Sequence, residues 1–323
     1  MAERCDVMII KDRQFPLEIQ QLQVLKRRLR PDHPKMQEVE AKLVRQLAGY
    51  KGELSLGYPL SFLPADYFIF HDLRLKIDGH FFQMDTLILS PKWLMIIEVK
   101  NIAGEIHFDQ RFNQLVRKVN DDQEAFSNPI VQVERHRSHL NCWMKNFSLP
   151  ELPIHCLVAS SHPHSIISSN DPHLNKVVRT DNLPEKLKEF DSAPNTLNKK
   201  DMNKISTLIL KNHTAKPLST IDQLKLSPKD IKAGVYCEKC SYLPLIRKHA
   251  RWVCPSCSKN SKHAHLASLK DYALLFGPEI TNASMRRFLR LESSHTAKRL
   301  LSSLEVEKSG VTKGRKYRLR YDN

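Results

Sequence analysis

The sequence has no apolar run long enough to cross a bilayer, and charges thread its opening "MAERCDVMIIKDRQ" where a signal peptide needs an apolar core. Both absences argue against insertion or export and predict a cytoplasmic protein. Acidic residues are scarce beside basic ones, 35 Asp+Glu against 51 Lys+Arg, for a formal charge of +16. That imbalance favours a polyanionic partner, nucleic acid before membrane. Cysteine is sparse outside one cluster. Cys5, Cys142 and Cys156 are isolated, which suits free thiols in a reducing compartment rather than a disulfide framework. The composition is not that of a disordered chain: 41% of 323 residues are hydrophobic, enough for two or three small domains.

The most apolar segment is "MDTLILSPKWLMIIEVKN", Met84 to Asn101. It suits two strands covered on both faces, yet Asp85 opens it and Glu98, Val99 and Lys100 close it. A tight turn centred on Pro91 and Lys92 pairs Ser90 with Trp93 and sets Asp85 opposite Glu98. Proline at that turn position suits a hairpin poorly, so a wider loop is the alternative. A slip of one residue would put the two carboxylates on opposite faces. Glu98 and Lys100, two apart in one strand, share a face. Facing carboxylates destabilise a sheet by on the order of 0.2–1 kcal/mol. A hard divalent cation such as Mg²⁺ repairs this repulsion, and the Val99 carbonyl offers a third oxygen. The plainer reading is a buried Glu98–Lys100 ion pair that serves only structure.

Asp85, twelve residues and then Glu98-Val99-Lys100 resembles the active-site motif of the PD-(D/E)XK nucleases, specifically the nuclease-related domain, NERD. Met84 stands where the motif's name has proline. Upstream, "GYKGELSL" (Gly49 to Leu56) resembles the family's glycine-glutamate segment, with Glu53 as its helical carboxylate. Downstream, "NIAGEIHFDQRFNQLVRK" resembles the next strand pair, with Gln114 at the family's glutamine, and "NPIVQVERHRSHLNCWM" resembles the following helix. The likeness covers about residues 40–165. It implies an α/β, restriction-endonuclease-like core, a mixed sheet flanked by helices. It also implies catalysis by Asp85, Glu98, Lys100, Glu53 and Gln114, with Mg²⁺ or Mn²⁺ held at Asp85, Glu98 and Val99.

Apolar spacing predicts helices over 17–29 and 35–49, the second running on to Glu53. Strands are expected at 67–71, 73–77, 82–89, 93–100, 105–108, 113–119 and 154–160. A helix over 129–145 is expected after Asn128 as cap, with Pro129 first. His136 and His139 on that helix, interleaved with arginines, read as a solvated face rather than as metal ligands. The expected division is an N-terminal helical segment (1–34), the nuclease-like domain (35–212) and a linker (213–233). A zinc ribbon (234–262) and a C-terminal module (263–323) complete it.

Cys237-x2-Cys240, thirteen residues and then Cys254-x2-Cys257 is the spacing of a zinc ribbon, four thiolates around one structural Zn²⁺. A redox dithiol or two disulfides are the alternatives. Lys239, Arg247, Lys248, Arg251 and Trp252 are candidates for contact with phosphate.

Beyond the ribbon, the sequence predicts a helix over 263–276, then a short helix capped by Thr281 or Asn282. A second helix capped by Ser294 and a basic hairpin follow, the order of a winged helix-turn-helix. The second helix offers Ser294, His295, Thr296, Lys298 and Arg299 to DNA, and the wing offers Lys313, Arg315, Lys316, Arg318 and Arg320. The expectation is a metal-dependent nuclease targeted to DNA by its C-terminal part. Rival readings are a non-catalytic DNA-binding protein on a nuclease scaffold, an RNA- or structure-specific nuclease, and a structural adaptor.

Overall fold

A computed structural model describes residues 8–169, 172–192, 194–217, 220–311 and 314–320. Two compact units divide the chain. One joins residues up to Gln14 with Leu47–Lys216; the other joins Phe15–Gln46 with Pro217 onward. The elements begin with β1 (Met8–Lys11), α1 (Leu17–Arg28), α2 (Met36–Leu54) and α3 (Gly57–Leu60). The strands β2 (Phe68–Ile77), β3 (His80–Leu89) and β4 (Leu94–Lys100) come next, then β5 (Gly104–Asp109), β6 (Gln114–Val119) and β7 (Asp122–Ser127). After them come α4 (Pro129–Asn146), β8 (Ile154–Ser160), β9 (Ser165–Ser169), β10 (Val177–Arg179), α5 (Leu183–Lys188) and α6 (Lys199–Asn212).

The first unit is built on a six-stranded mixed sheet in the order β1-β2-β3-β4-β8-β10. The β3–β4 ladder is antiparallel and pairs Leu89 with Leu94 and Thr86 with Ile97. Ser90 makes the turn: its Oγ accepts from the backbone N–H of Lys92 and Trp93, at 3.1 and 3.0 Å. Alternate residues go to opposite faces, so Leu87, Leu89, Leu94 and Ile96 join one core layer and Ile88, Met95, Ile97 and Val99 the other. The first layer is closed by Val133, Leu140 and Trp143 of α4 and by Met202, Ile205 and Ile209 of α6. The second is closed by Leu56, Leu60, Leu183 and Leu187.

α4 starts where expected: Pro129 is its first residue, and Asn128 Oδ1 accepts from Ile130 N–H at 2.9 Å. Its buried stripe, Ile130, Val133, His136, Leu140 and Trp143, has helical spacing. His136 therefore lies in the core-facing stripe at 6% exposure, not on the solvated face expected from its arginine neighbours. A second sheet, β7-β6-β5-β9, stands apart from the first. Among its members β7 and β9, and in the main sheet β1, are polar or short and gave no periodic signal. The expected break between strands at residue 72 is instead an interruption within β2, where Asp72 takes φ +50°.

α2 approaches the end of β4 closely. An added Cβ at Gly52 would lie 2.5 Å from Asn101 Cβ and 2.7 Å from Ser161 Oγ. Asn101 Nδ2 also donates to the Ala48 carbonyl at 2.7 Å.

The second unit continues with α7 (Thr220–Gln223), β11 (Ile246–Lys248), β12 (Arg251–Val253), β13 (Asn260–Ser261) and α8 (Ala264–Phe276). It ends with β14 (Glu279–Thr281), α9 (Asn282–Leu289), α10 (Ser294–Ser302), β15 (Lys308–Ser309) and β16 (Lys316–Arg318). Residues 15–46 group here rather than forming a segment of their own, because α1 buries polar groups that find partners in this unit. Gln21 Nε2 donates to the Leu274 carbonyl at 2.6 Å. Arg28, fully buried, donates through Nε to Asp271 at 2.7 Å and through Nη1 to the carbonyls of Lys232 and Gly234. Its guanidinium stacks 4.5 Å from the Phe288 ring centroid. The stretch expected to be a linker has one turn of helix, but Leu224, Leu226 and Ile231 are buried.

Two substitutions test these contacts by urea unfolding. Asp271→Ala leaves the Arg28 charge buried without its carboxylate and should cost about 3–5 kcal/mol; an unchanged midpoint would show that the pair is solvated. Gly52→Ala gains helix propensity but overpacks the Asn101 contact, for a net loss of about 1–2 kcal/mol. A stabilised variant would refute that close approach.

Candidate functional site

The carboxylates gather where the strand ladders lapse. On β3, pairing with β2 runs from His71–Thr86 to Leu73–Met84 and passes over Asp85 opposite the left-handed Asp72. Pairing with β4 stops at Thr86–Ile97, and that register extended by one sets Asp85 opposite Glu98. Asp85 Oδ2 instead accepts from the Val99 N–H at 2.9 Å, so the aspartate caps the strand that carries Glu98.

Glu98 is 4% exposed. Its Oε1 accepts from Lys100 Nζ at 2.8 Å and from Gln132 Nε2 at 2.7 Å. Lys100 also donates to Gln132 Oε1 at 3.2 Å, which closes a three-membered ring of side chains. The other oxygen, Oε2, is buried with no partner among the described residues. An ionised oxygen left so is costly, and a cation satisfies it directly. Burial, followed by the charges of Glu98 and Glu53, pushes the Asp85 carboxyl well above its usual range, against the Val99 N–H and Lys100. Two crowded carboxyls, one with an orphan oxygen, form an all-oxygen donor set that fits a hard divalent ion.

Glu53, at the end of α2, is held elsewhere. Its carboxylate takes an ion pair from Arg13, which also donates to the Asp85 carbonyl at 3.1 Å and to Thr86 Oγ1 at 3.2 Å. Arg13 Nη2 lies 3.1 Å from His71 Nδ1. Burial, then the nearby cations Arg13 and Lys11, lowers the His71 pKa to about 4, so the ring is neutral at pH 7. Burial likewise raises Glu53, and Arg13 opposes it. Among the described residues the only group of three or more metal-ligating side chains within 4.8 Å of one another is a cysteine cluster, so Glu53 does not close on Asp85 and Glu98.

Gln114 is also elsewhere. It begins β6 in the second sheet, and its amide donates to Asp109 Oδ2 at 3.3 Å. The glutamine that touches Glu98 and Lys100 is Gln132 of α4. The sequence passage "NPIVQVERH" held it in view as part of a helix, and its place on the half-buried edge of the α4 stripe is what aims it at β4. Arg13 carried no local signal.

Cys237, Cys240, Cys254 and Cys257 converge, with Cys237 and Cys257 sulfurs 3.6 Å apart and Cys240 and Cys254 sulfurs 3.5 Å apart. Each Cys-x2-Cys segment, 237–240 and 254–257, sits in a tight turn. Ser241 N–H donates to the Cys237 carbonyl and Ser258 N–H to that of Cys254, with both serines at positive φ. Four thiols so arranged can hold one metal ion. Cys142 and Cys156 are free, and Cys5 lies outside the described residues. Trp252 is 2% exposed, so it is no surface for phosphate.

On α10, His295, Lys298 and Arg299 are exposed and Thr296 is half-buried, its N–H donating to Ser293 Oγ. Ser293 thus caps this helix in place of Ser294, which bonds to Asn282. Arg315, Lys316 and Arg318 are exposed; Lys316 pairs with Glu279 at 2.7 Å, and Lys313 lies outside the described residues. No helix among the described residues is long and apolar enough to cross a membrane.

No curated protein and no solved structure matches the chain. Residues 48–161 match the family model of the nuclease-related domain, a span that includes Glu53, Asp85, Glu98, Val99, Lys100 and Gln114 and leaves out Arg13, the four cysteines and the C-terminal helices.

Proposed function

We propose that this chain is a metal-dependent nuclease that hydrolyses DNA phosphodiester bonds. The observation that carries the reading is the buried, unpartnered Oε2 of Glu98 beside Asp85, with Lys100 on the same face. Asp85 and Glu98 would hold Mg²⁺ or Mn²⁺, with the Val99 carbonyl as a further oxygen. When bound, the ion activates water and offsets charge on the phosphate. Gln132 and Glu98 keep the Lys100 ammonium pointed along the site, where it stabilises negative charge developing on a phosphate oxygen. Arg13 neutralises Glu53, which limits the negative charge an incoming phosphate meets.

The four cysteines would hold a structural Zn²⁺, and the three-stranded β14-β16-β15 sheet with α8, α9 and α10 would form a winged helix. In that arrangement His295, Thr296, Lys298, Arg299, Arg315 and Arg318 are the DNA-facing set, and Lys316 is partly engaged by Glu279. A second reading, DNA binding on an inactive scaffold, is favoured by one observation: Lys100 is already engaged by Glu98 and Gln132.

Cleavage of labelled single-stranded, duplex and branched DNA with Mg²⁺, with Mn²⁺ and with chelator separates the two. Asp85→Ala and Lys100→Ala should each lower metal-dependent cutting about 100-fold or more while the fold, read by circular dichroism, is kept. Absence of cutting by the wild type, with binding intact, would leave the scaffold reading. Zinc content is tested separately by metal analysis and by a strong chelator. Structural zinc contributes on the order of 10 kcal/mol to a fold this small, so its removal should abolish the Trp252 fluorescence signature of the buried ring. An unchanged spectrum with no bound zinc would refute it.

A further inference from the structure

We infer that the cavity between β3 and α4 takes one unstacked base of a nucleic-acid strand, beside the Asp85 and Glu98 carboxylates. The cavity measures about 360 Å³, near the lower end of small-ligand sites, and Asp85 and Gln132 form part of its wall. The rest is mostly aromatic and basic: Phe81 and Phe82 from β3 beside Gln83, and Arg135, His136 and His139 from α4.

Three features select a base. His136 and His139 each bury Nδ1 with no hydrogen-bond partner among the described residues, although His136 is only 6% exposed. Both rings line the cavity, and an imidazole there can meet a base edge, which offers donors and acceptors. Burial lowers the His136 pKa to about 4, so its imidazole is neutral at pH 7 and can meet either kind of partner. Phe82 lies 5.4 Å from the His139 ring and Phe81 is 44% exposed. Arg74 stacks 3.6 Å from the Phe81 centroid and holds that ring in place. Phe82 is buried, so the exposed Phe81 ring is the face on which a base of any identity would stack. Arg135 is exposed at the same wall, where a backbone phosphate belongs.

A divalent metal is a poorer occupant, because the two histidines do not belong to any group of three ligands. A paired base in intact duplex is stacked on both sides and cannot enter. The preferred substrate therefore has a single-stranded or frayed segment at the carboxylates. This inference rests on the nuclease reading only in taking the adjoining phosphate to be the one that is cut.

The test is binding, read without cutting. The full chain, with no added divalent metal, is titrated against a single-stranded oligonucleotide carrying 2-aminopurine and against its duplex. Anisotropy gives affinity, and 2-aminopurine emission reports the environment of the base. Phe81→Ala and His139→Ala should each weaken single-strand binding about 10-fold and leave duplex binding unchanged. Equal losses on both ligands, no loss on either, or no single-strand binding by the wild type would overturn the pocket. A wild type that shows the single-strand effect but never cuts with Mg²⁺ or Mn²⁺ would overturn the nuclease reading and leave the pocket standing. Cutting that is indifferent to both variants and to strandedness does the reverse.

Discussion

The β3–β4 register governs everything chemical in the first unit. With Leu89 opposite Leu94, alternation sends Asp85, Glu98 and Lys100 to the face covered by α4, and sends Ile97 and Val99 to the other. Ser90 fixes that register by accepting two backbone N–H groups in the turn. A slip of one residue would bury the charged set against Leu56 and Leu60 and turn apolar side chains toward Gln132. The apolar run is thus the price of holding two carboxylates close in a place that water cannot easily relax.

The same alternation explains why Glu53 stands aside. It comes from the end of α2, near Leu56 of the layer that covers Ile97 and Val99, and its carboxylate is taken by Arg13. Arg13 meets it there, tied to the Asp85 carbonyl, Thr86 and His71. A cation with four partners on β2, β3 and α2 ties these elements together at the edge of the site. Lys11 adds to this by donating to the carbonyls of His71 and Asp72, where β2 takes its left-handed step.

Much of this was legible because it is local. The register that sets Asp85 across from Glu98 follows from counting outward from Pro91, and the strands β3, β4 and β8 follow from apolar runs. The caps at Asn128 and Thr281 follow from side chains that accept their own helix's N–H groups. The convergence of the four cysteines follows from their spacing. What was not legible depends on distant partners. Arg13 and Gln132 reach the site from elements far from it in sequence, and neither position differs in type from many other polar residues. Gln114 satisfied a motif by order along the chain, yet the separation of β5–β7 into their own sheet carries it to Asp109. His136 looked solvated because its neighbours are arginines, although its own spacing from Val133 and Leu140 already placed it in the buried stripe.

That last residue connects the two halves of the functional argument. A stripe position on α4 favours an apolar side chain, and a leucine at residue 136 would satisfy the same packing against Phe82 without leaving a ring nitrogen unpaired. His139, three residues on, repeats the cost. One turn earlier on the same face, Gln132 is engaged through both ends of its amide, by Glu98 and Lys100. One helix therefore carries a satisfied polar residue where the carboxylates need orienting and two unsatisfied ones where the wall opens into a cavity. Glu98 Oε2 and the Nδ1 atoms of the two imidazoles are among the buried polar atoms left without a partner among the described residues.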